Sequence, residues 1–161
     1  MSVNVYRPHV LVLAEDDANR QIANGFLLDP NIKTRNIQVL PSVGGWGKVL
    51  ESFVSDHVDK LRQYSSRHLV LLIDFDGRID DRKRLFFDGF PDDVRDRVFL
   101  LGTSSEPEPL RADCGKSLEE IGKSLAEECF HKNSTLWLHP LLVHNSSERQ
   151  RMTDNVSEII F

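Results

Sequence analysis

Five consecutive aliphatic residues, Leu69 to Ile73, run directly into Asp74-Phe75-Asp76-Gly77. A strand with one face in water alternates apolar and polar side chains. An unbroken aliphatic run therefore predicts a strand covered on both faces, the usual setting of a parallel sheet. The run stops on charge. Asp74 and Asp76 are two apart, and if the extended geometry persists their carboxylates point the same way beyond the carboxyl edge of the sheet, where open α/β sheets bind ligands. Converging carboxylates must be protonated, hydrogen-bonded or neutralised by a cation, and all-oxygen ligation suits Mg²⁺ or Mn²⁺. The structural alternative is that they cap the following helix and open a turn.

The remainder of the chain repeats the strand-then-helix rhythm. His9 to Ala14 is a second buried run and also ends on acid, Glu15-Asp16-Asp17. Ala18 to Leu28 carries Ile22, Ala23, Phe26 and Leu27 at helical spacing, and Asp29-Pro30-Asn31 ends it. Ile37 to Leu40 is a short strand left through the glycine-rich turn Pro41 to Gly47. Lys48 follows, but Ser42 stands where a P-loop needs its first glycine and Val49 where it needs Ser or Thr, so ATP binding by that motif is excluded. Val49 to Tyr64 reads as an amphipathic helix with Val49, Leu50, Phe53, Val54, Val58 and Leu61 inward. Val94 to Leu101 reads as a fourth strand, left through an extended turn, Gly102 to Pro109, whose prolines argue against an immediate helix. Ser117 to Phe130 is a helix opened by a capping box, Ser117 and Glu120. Leu136 to His144 is apolar but interrupted by Pro140, an edge strand or a buried loop. His139 and His144 lack metal-ligand spacing and read as structural.

Strands alternating with helices predict βαβ units: a Rossmann-like three-layer α/β sandwich with a mostly parallel sheet of four to five strands and helices on both faces. The 161 residues suit one domain, with 131–161 expected as a less regular C-terminal extension. No apolar run reaches the roughly 20 residues of a spanning helix, and Met1 to Pro8 is not patterned as a leader. The expected location is the cytoplasm, without membrane association. Cys114 and Cys129 complete no metal motif and read as reduced thiols. A net charge of −5 argues against a protein that coats nucleic acid, yet is compatible with an enzyme touching a few phosphates through metal ions.

With Glu15 after the first strand, Gly44-Gly45 after the second and Asp74-Phe75-Asp76 after the third, the stretch Val10 to Leu101 resembles a TOPRIM domain, the fold shared by topoisomerases, primases and nucleases of the overcoming-lysogenization-defect type. The resemblance implies that Asp74 and Asp76 are metal ligands and Glu15 a ligand or general acid/base, with Asp16 and Glu106 (or Glu108) as further candidate ligands. It implies Mg²⁺- or Mn²⁺-dependent phosphodiester hydrolysis on DNA or RNA, bound transiently. Topoisomerase chemistry is not expected, because Tyr6 and Tyr64 have no separate domain around them. Gly45, Lys48, Arg78, Arg82 and Lys83 are the candidate phosphate contacts. The family's nucleases often carry an ATPase, so a protein partner or self-association is expected, with Trp137 to Val143 and Ile159 to Phe161 as contact candidates. Two other readings fit. A receiver domain of two-component signalling also has an acidic pair (Asp16, Asp17), a phosphoacceptor (Asp74) and a Thr after the fourth strand (Thr103), and a non-catalytic scaffold is the third possibility.

Overall fold

The computed structural model describes residues 2–161 and shows a three-layer α/β fold. Strands β1 (His9–Ala14), β2 (Ile37–Val39), β3 (Arg67–Asp74) and β4 (Val98–Thr103) form one sheet. All pairings are parallel and the order is β2-β1-β3-β4. The chain starts in the sheet at β1, adds β2 on one side and then crosses to add β3 on the other. The carboxyl ends of β1 and β3 therefore flank the point where the winding reverses, which is where ligands bind in such sheets.

Alternation along the strands sorts their side chains onto two faces. Leu11 and Leu13 of β1 join Leu69, Leu71 and Ile73 of β3 on one face. That face is covered by α2 (Trp46–Ser52), a π-helical turn (Phe53–His57), α3 (Val58–Gln63) and α4 (Ile79–Asp88), which bury Phe53 and Phe86 against it. The expected helix from Val49 to Tyr64 thus starts three residues earlier and is interrupted by the π turn. That extra residue per turn rotates the later positions, and Val54, expected inward, is exposed.

Val10, Val12, Val70, Phe99 and Leu101 occupy the other face. It is covered by α1 (Asp17–Phe26), α6 (Leu118–His131), α7 (Ser146–Asn155) and the short α8 (Ser157–Ile160). Helices α1 and α6 touch backbone to backbone: a Cβ on Gly25 would fall 1.9 Å from Glu119 O, and one on Gly122 would fall 1.9 Å from Ile22 O. Ser117 caps α6 as the capping box predicts, its Oγ accepting from Glu120 N and donating to the Glu120 carboxylate.

Two sequence expectations change, and one open alternative is decided. The strand placed at Val94 begins at Val98, after a 3₁₀ turn at Arg95–Arg97. The prolines after β4 do not delay a helix: Pro107 occupies the first turn of α5 (Pro107–Cys114), where its missing N–H costs nothing. Leu136 to His144 forms no strand but a loop with two 3₁₀ turns, anchored by the buried Trp137 and Leu142, with the Trp137 indole donating to Leu125 O while Leu138 and Val143 are exposed. In the C-terminal stretch, Ile160 is buried and Phe161 packs on Phe26 and Phe130, so this end docks on its own chain.

Helix α7 takes the place of a fifth strand. Asn145, just before it, accepts from Gly102 N and donates to Gly102 O; Glu148 accepts from Leu100 N; Arg151 donates to Val98 O. Residues spaced three apart along one side of a helix thereby satisfy the outer edge of β4, which would otherwise be open to pairing with another chain. Glu148 and Arg151 also pair with each other. Among the described residues no helix is long and apolar enough to cross a membrane.

Candidate metal centre at the carboxyl edge of the sheet

Glu15 is the first residue beyond β1. Its N–H donates to Leu72 O, while its carbonyl accepts from the N–H groups of Gly44 (2.8 Å) and Gly45 (3.1 Å). Gly44 has φ +92°, a conformation that favours glycine. The glycine-rich turn thus serves to hold Glu15. The Gly45 N–H, expected to meet a phosphate, has an internal acceptor. Lys48 is exposed nearby, and its ammonium lies 3.9 Å from where a Gly44 Cβ would be.

The Glu15 carboxylate turns inward and accepts a 2.6 Å hydrogen bond from Asp74 N. Asp74, the last residue of β3, is buried. Its Oδ1 accepts from Asn19 Nδ2 at 2.8 Å, and Thr103 Oγ1 lies 3.5 Å away. Asn19 Nδ2 also donates to Asp16 Oδ1 at 3.0 Å, and the same Asp16 oxygen caps α1 by accepting from Asn19 N. One amide therefore fixes the spacing of two carboxylates. Glu15, Asp16 and Asp74 each offer an oxygen within 4.8 Å of the others.

Asp76 does not join this group. The strand ends at Asp74, and Asp76 and Gly77 both adopt positive φ, +50° and +74°. The extended geometry that would have aligned the two aspartates is lost. Asp76 turns instead to Arg82, whose Nη1 donates 2.7 Å to its carboxylate and 2.5 Å to Asp74 O. The Arg82 guanidinium is buried over the Trp46 ring, 4.1 Å from its centroid. Expected at phosphates, Arg82 instead braces the loop that follows Asp74. Lys83 reaches away to His144 O at 2.9 Å, and Arg78, just ahead of α4, is exposed. Glu106 is exposed ahead of α5; of the two glutamates considered, Glu108 is the one whose charge acts on Asp74. His139 pairs with Asp113 and His144 with Gly102 O. Asn19 and Trp46 are the site residues that sequence reasoning missed.

Electrostatics follow from the crowding. Burial pushes the Glu15 carboxyl up to about 7, against the lowering effect of the Asp74 N–H, and the charges of Asp74, Asp16 and Asp76 push the same way as burial. Burial also raises Asp74, to about 6, with Asp16, Asp76 and Glu108 adding to the rise and the Asn19 hydrogen bond opposing it. The cluster holds its negative charge unwillingly near neutral pH, the condition a cation relieves. The donors are all carboxylate oxygens, which fits a hard divalent ion. This acidic cluster can hold a metal, and its donor set does not choose among hard divalent ions. No protein-family model, curated protein or solved structure matches the chain.

Proposed function

We propose that Glu15, Asp16 and Asp74 bind Mg²⁺ or Mn²⁺ and that the chain hydrolyses phosphodiester bonds in DNA or RNA, as a TOPRIM-like nuclease domain. The observation that carries the reading is the convergence of three carboxylates at the β1/β3 switch point, two of them raised toward neutral pH. A bound divalent ion supplies positive charge for the oxygens of an in-line displacement. The chain supplies the remainder. Glu15, with its carboxyl near pH 7, is suited to take a proton from water or return one to a leaving oxygen. Lys48 and Arg78, both exposed near this edge, give the substrate backbone charge to bind without reading sequence.

The test is cleavage of single- and double-stranded DNA and RNA with Mg²⁺ or Mn²⁺. Activity of the native chain that falls at least 100-fold in both Glu15→Gln and Asp74→Asn supports the proposal. Activity that survives both substitutions, or no cleavage of any of these substrates, contradicts it.

One observation favours a second reading. Thr103 Oγ1 stands 3.5 Å from Asp74 Oδ1, the same oxygen that accepts from the Asn19 amide joining it to Asp16. A receiver domain would place a phosphoryl group on Asp74 beside such partners. A stoichiometric mass increase at Asp74 after incubation with acetyl phosphate and Mg²⁺ would favour that reading over hydrolysis.

A further inference from the structure

The face of the sheet that carries valines lines a half-open cavity of about 110 Å³. Its floor is Val12 and Val70, α1 contributes Ala23, α6 contributes Leu125, and Met152 and Val156 close it from the C-terminal segment. Protein interiors are packed to the density of organic crystals, with few voids larger than a water molecule. A space of this size therefore needs either an occupant or a large loss of dispersion contacts.

The walls define the occupant. Asn145 reaches the cavity, but both ends of its amide are hydrogen-bonded, to Gly102 N and to the carbonyls of Gly102 and Leu142. Arg149 presents its stem, because its guanidinium bonds Ser134 and the carbonyls of Glu128 and Asn133 while lying over the Trp137 ring. Thr103 donates to Ser105 O and Thr153 to Arg149 O. Burial raises the Cys129 thiol and keeps it neutral. The Arg149 charge is turned away from the space, and the Thr103 and Thr153 hydroxyl protons on its rim already have acceptors. A water molecule needs two to four polar partners to be held, so this apolar lining gives water no ordered position and selects against polar or charged ligands. A dry cavity of about 150 Å³ lined by Leu, Ile and Phe takes up benzene or xenon, and the present one is smaller but of the same order.

We infer that this cavity is a binding site for a small uncharged apolar molecule, aromatic or aliphatic, of about the size of benzene. The site is separate from the carboxylates in chemistry and does not rest on the metal reading. It is bounded at one end by Asn19 and Thr103, the two side chains that face Asp74, so an occupant lies directly behind the acidic cluster.

The probes are xenon, benzene and indole on the full chain. Crystals pressurised with xenon should show density between Val70 and Met152. Benzene at ten times its Kd should raise Tm by about 3 °C. Ala23→Leu and Val156→Leu fill the space from opposite walls and should each abolish the benzene response while circular dichroism stays native. If one of them does not fold, the other decides. Xenon density only elsewhere, no saturable response to benzene or indole, or a benzene response undiminished in a folded filling variant would overturn the proposal.

Discussion

The two faces of the sheet are built from different side chains, and the difference shows what each does for the carboxyl edge. On the face covered by α2 to α4, leucines and Ile73 meet Phe53, Phe75, Phe86 and Phe90, all essentially without exposure, with the Phe53 and Phe90 rings 5.0 Å apart. On the opposite face the strands offer Val10, Val12 and Val70 against Ala23, and a cavity of about 110 Å³ remains. Asp74 lies where the two meet. Its carbonyl is gripped by Arg82 from the filled face and its carboxylate by Asn19 from the open one. The filled face fixes the backbone of the site, whereas the face with spare volume holds the charged group.

The contrast can be broken most strongly on the filled face. Phe53→Ala should cost about 4 kcal/mol in chemical denaturation, because a fully buried ring leaves a void that neighbours close only in part. A loss below about 1 kcal/mol would mean that this face is not packed as described.

A second effect is electrostatic and of intermediate size. In the folded chain Glu15 and Asp74 titrate near about 7 and about 6, above the ordinary 4.5 and 3.8. The folded state then binds more protons than the unfolded state between these limits, so their contribution to stability is complete below about pH 4 and is lost as pH rises through the folded values. One pKa unit corresponds to about 1.4 kcal/mol; screening by the solvent both groups still meet reduces the sum to on the order of 2 kcal/mol. Without divalent ions, Asp74→Asn should flatten the fall in stability between about pH 4 and pH 7.5. An identical slope in native and variant chains would show that these carboxyls are not raised.

The smallest effect sharpens the comparison by enlarging side chains. Val12→Ile, pointing into the open face, should be neutral or stabilising by up to about 1 kcal/mol, whereas Leu71→Phe, on the filled face, should cost about 1–3 kcal/mol by overpacking. Equal penalties would remove the distinction between the faces.

Much of this architecture is legible in the chain. The run from Leu69 to Ile73 is covered on both faces as expected, and the Val/Leu alternation of Val10 to Leu13 already encodes a small face and a large one. Glu15 and Asp74 end adjacent parallel strands, so their approach follows once β1 and β3 are neighbours. The turn that separates Asp76 from Asp74 is not legible, because nothing in Asp-Phe-Asp-Gly states that the backbone turns left-handed at its third residue. Helix α7 was invisible for a different reason. The residues that fasten it to the edge of β4 are Glu148 and Arg151, preceded by Asn145, and apolar periodicity cannot detect a helix held chiefly by hydrogen-bonding a strand edge. Asn19 is hidden for the same reason: it is a polar residue in a buried position, made useful only by the two aspartates it joins.

The most direct test of the carboxylate site is titration of Mn²⁺ into the native chain and into Asp74→Asn, Glu15→Gln and Asp76→Asn, followed by calorimetry at pH 7.5. The account predicts a saturable site in the native chain, weakened at least tenfold in Asp74→Asn and in Glu15→Gln but retained within about threefold in Asp76→Asn, since that carboxylate is engaged by Arg82. Absence of saturable binding in the native chain, or an affinity unchanged by Asp74→Asn, would contradict it.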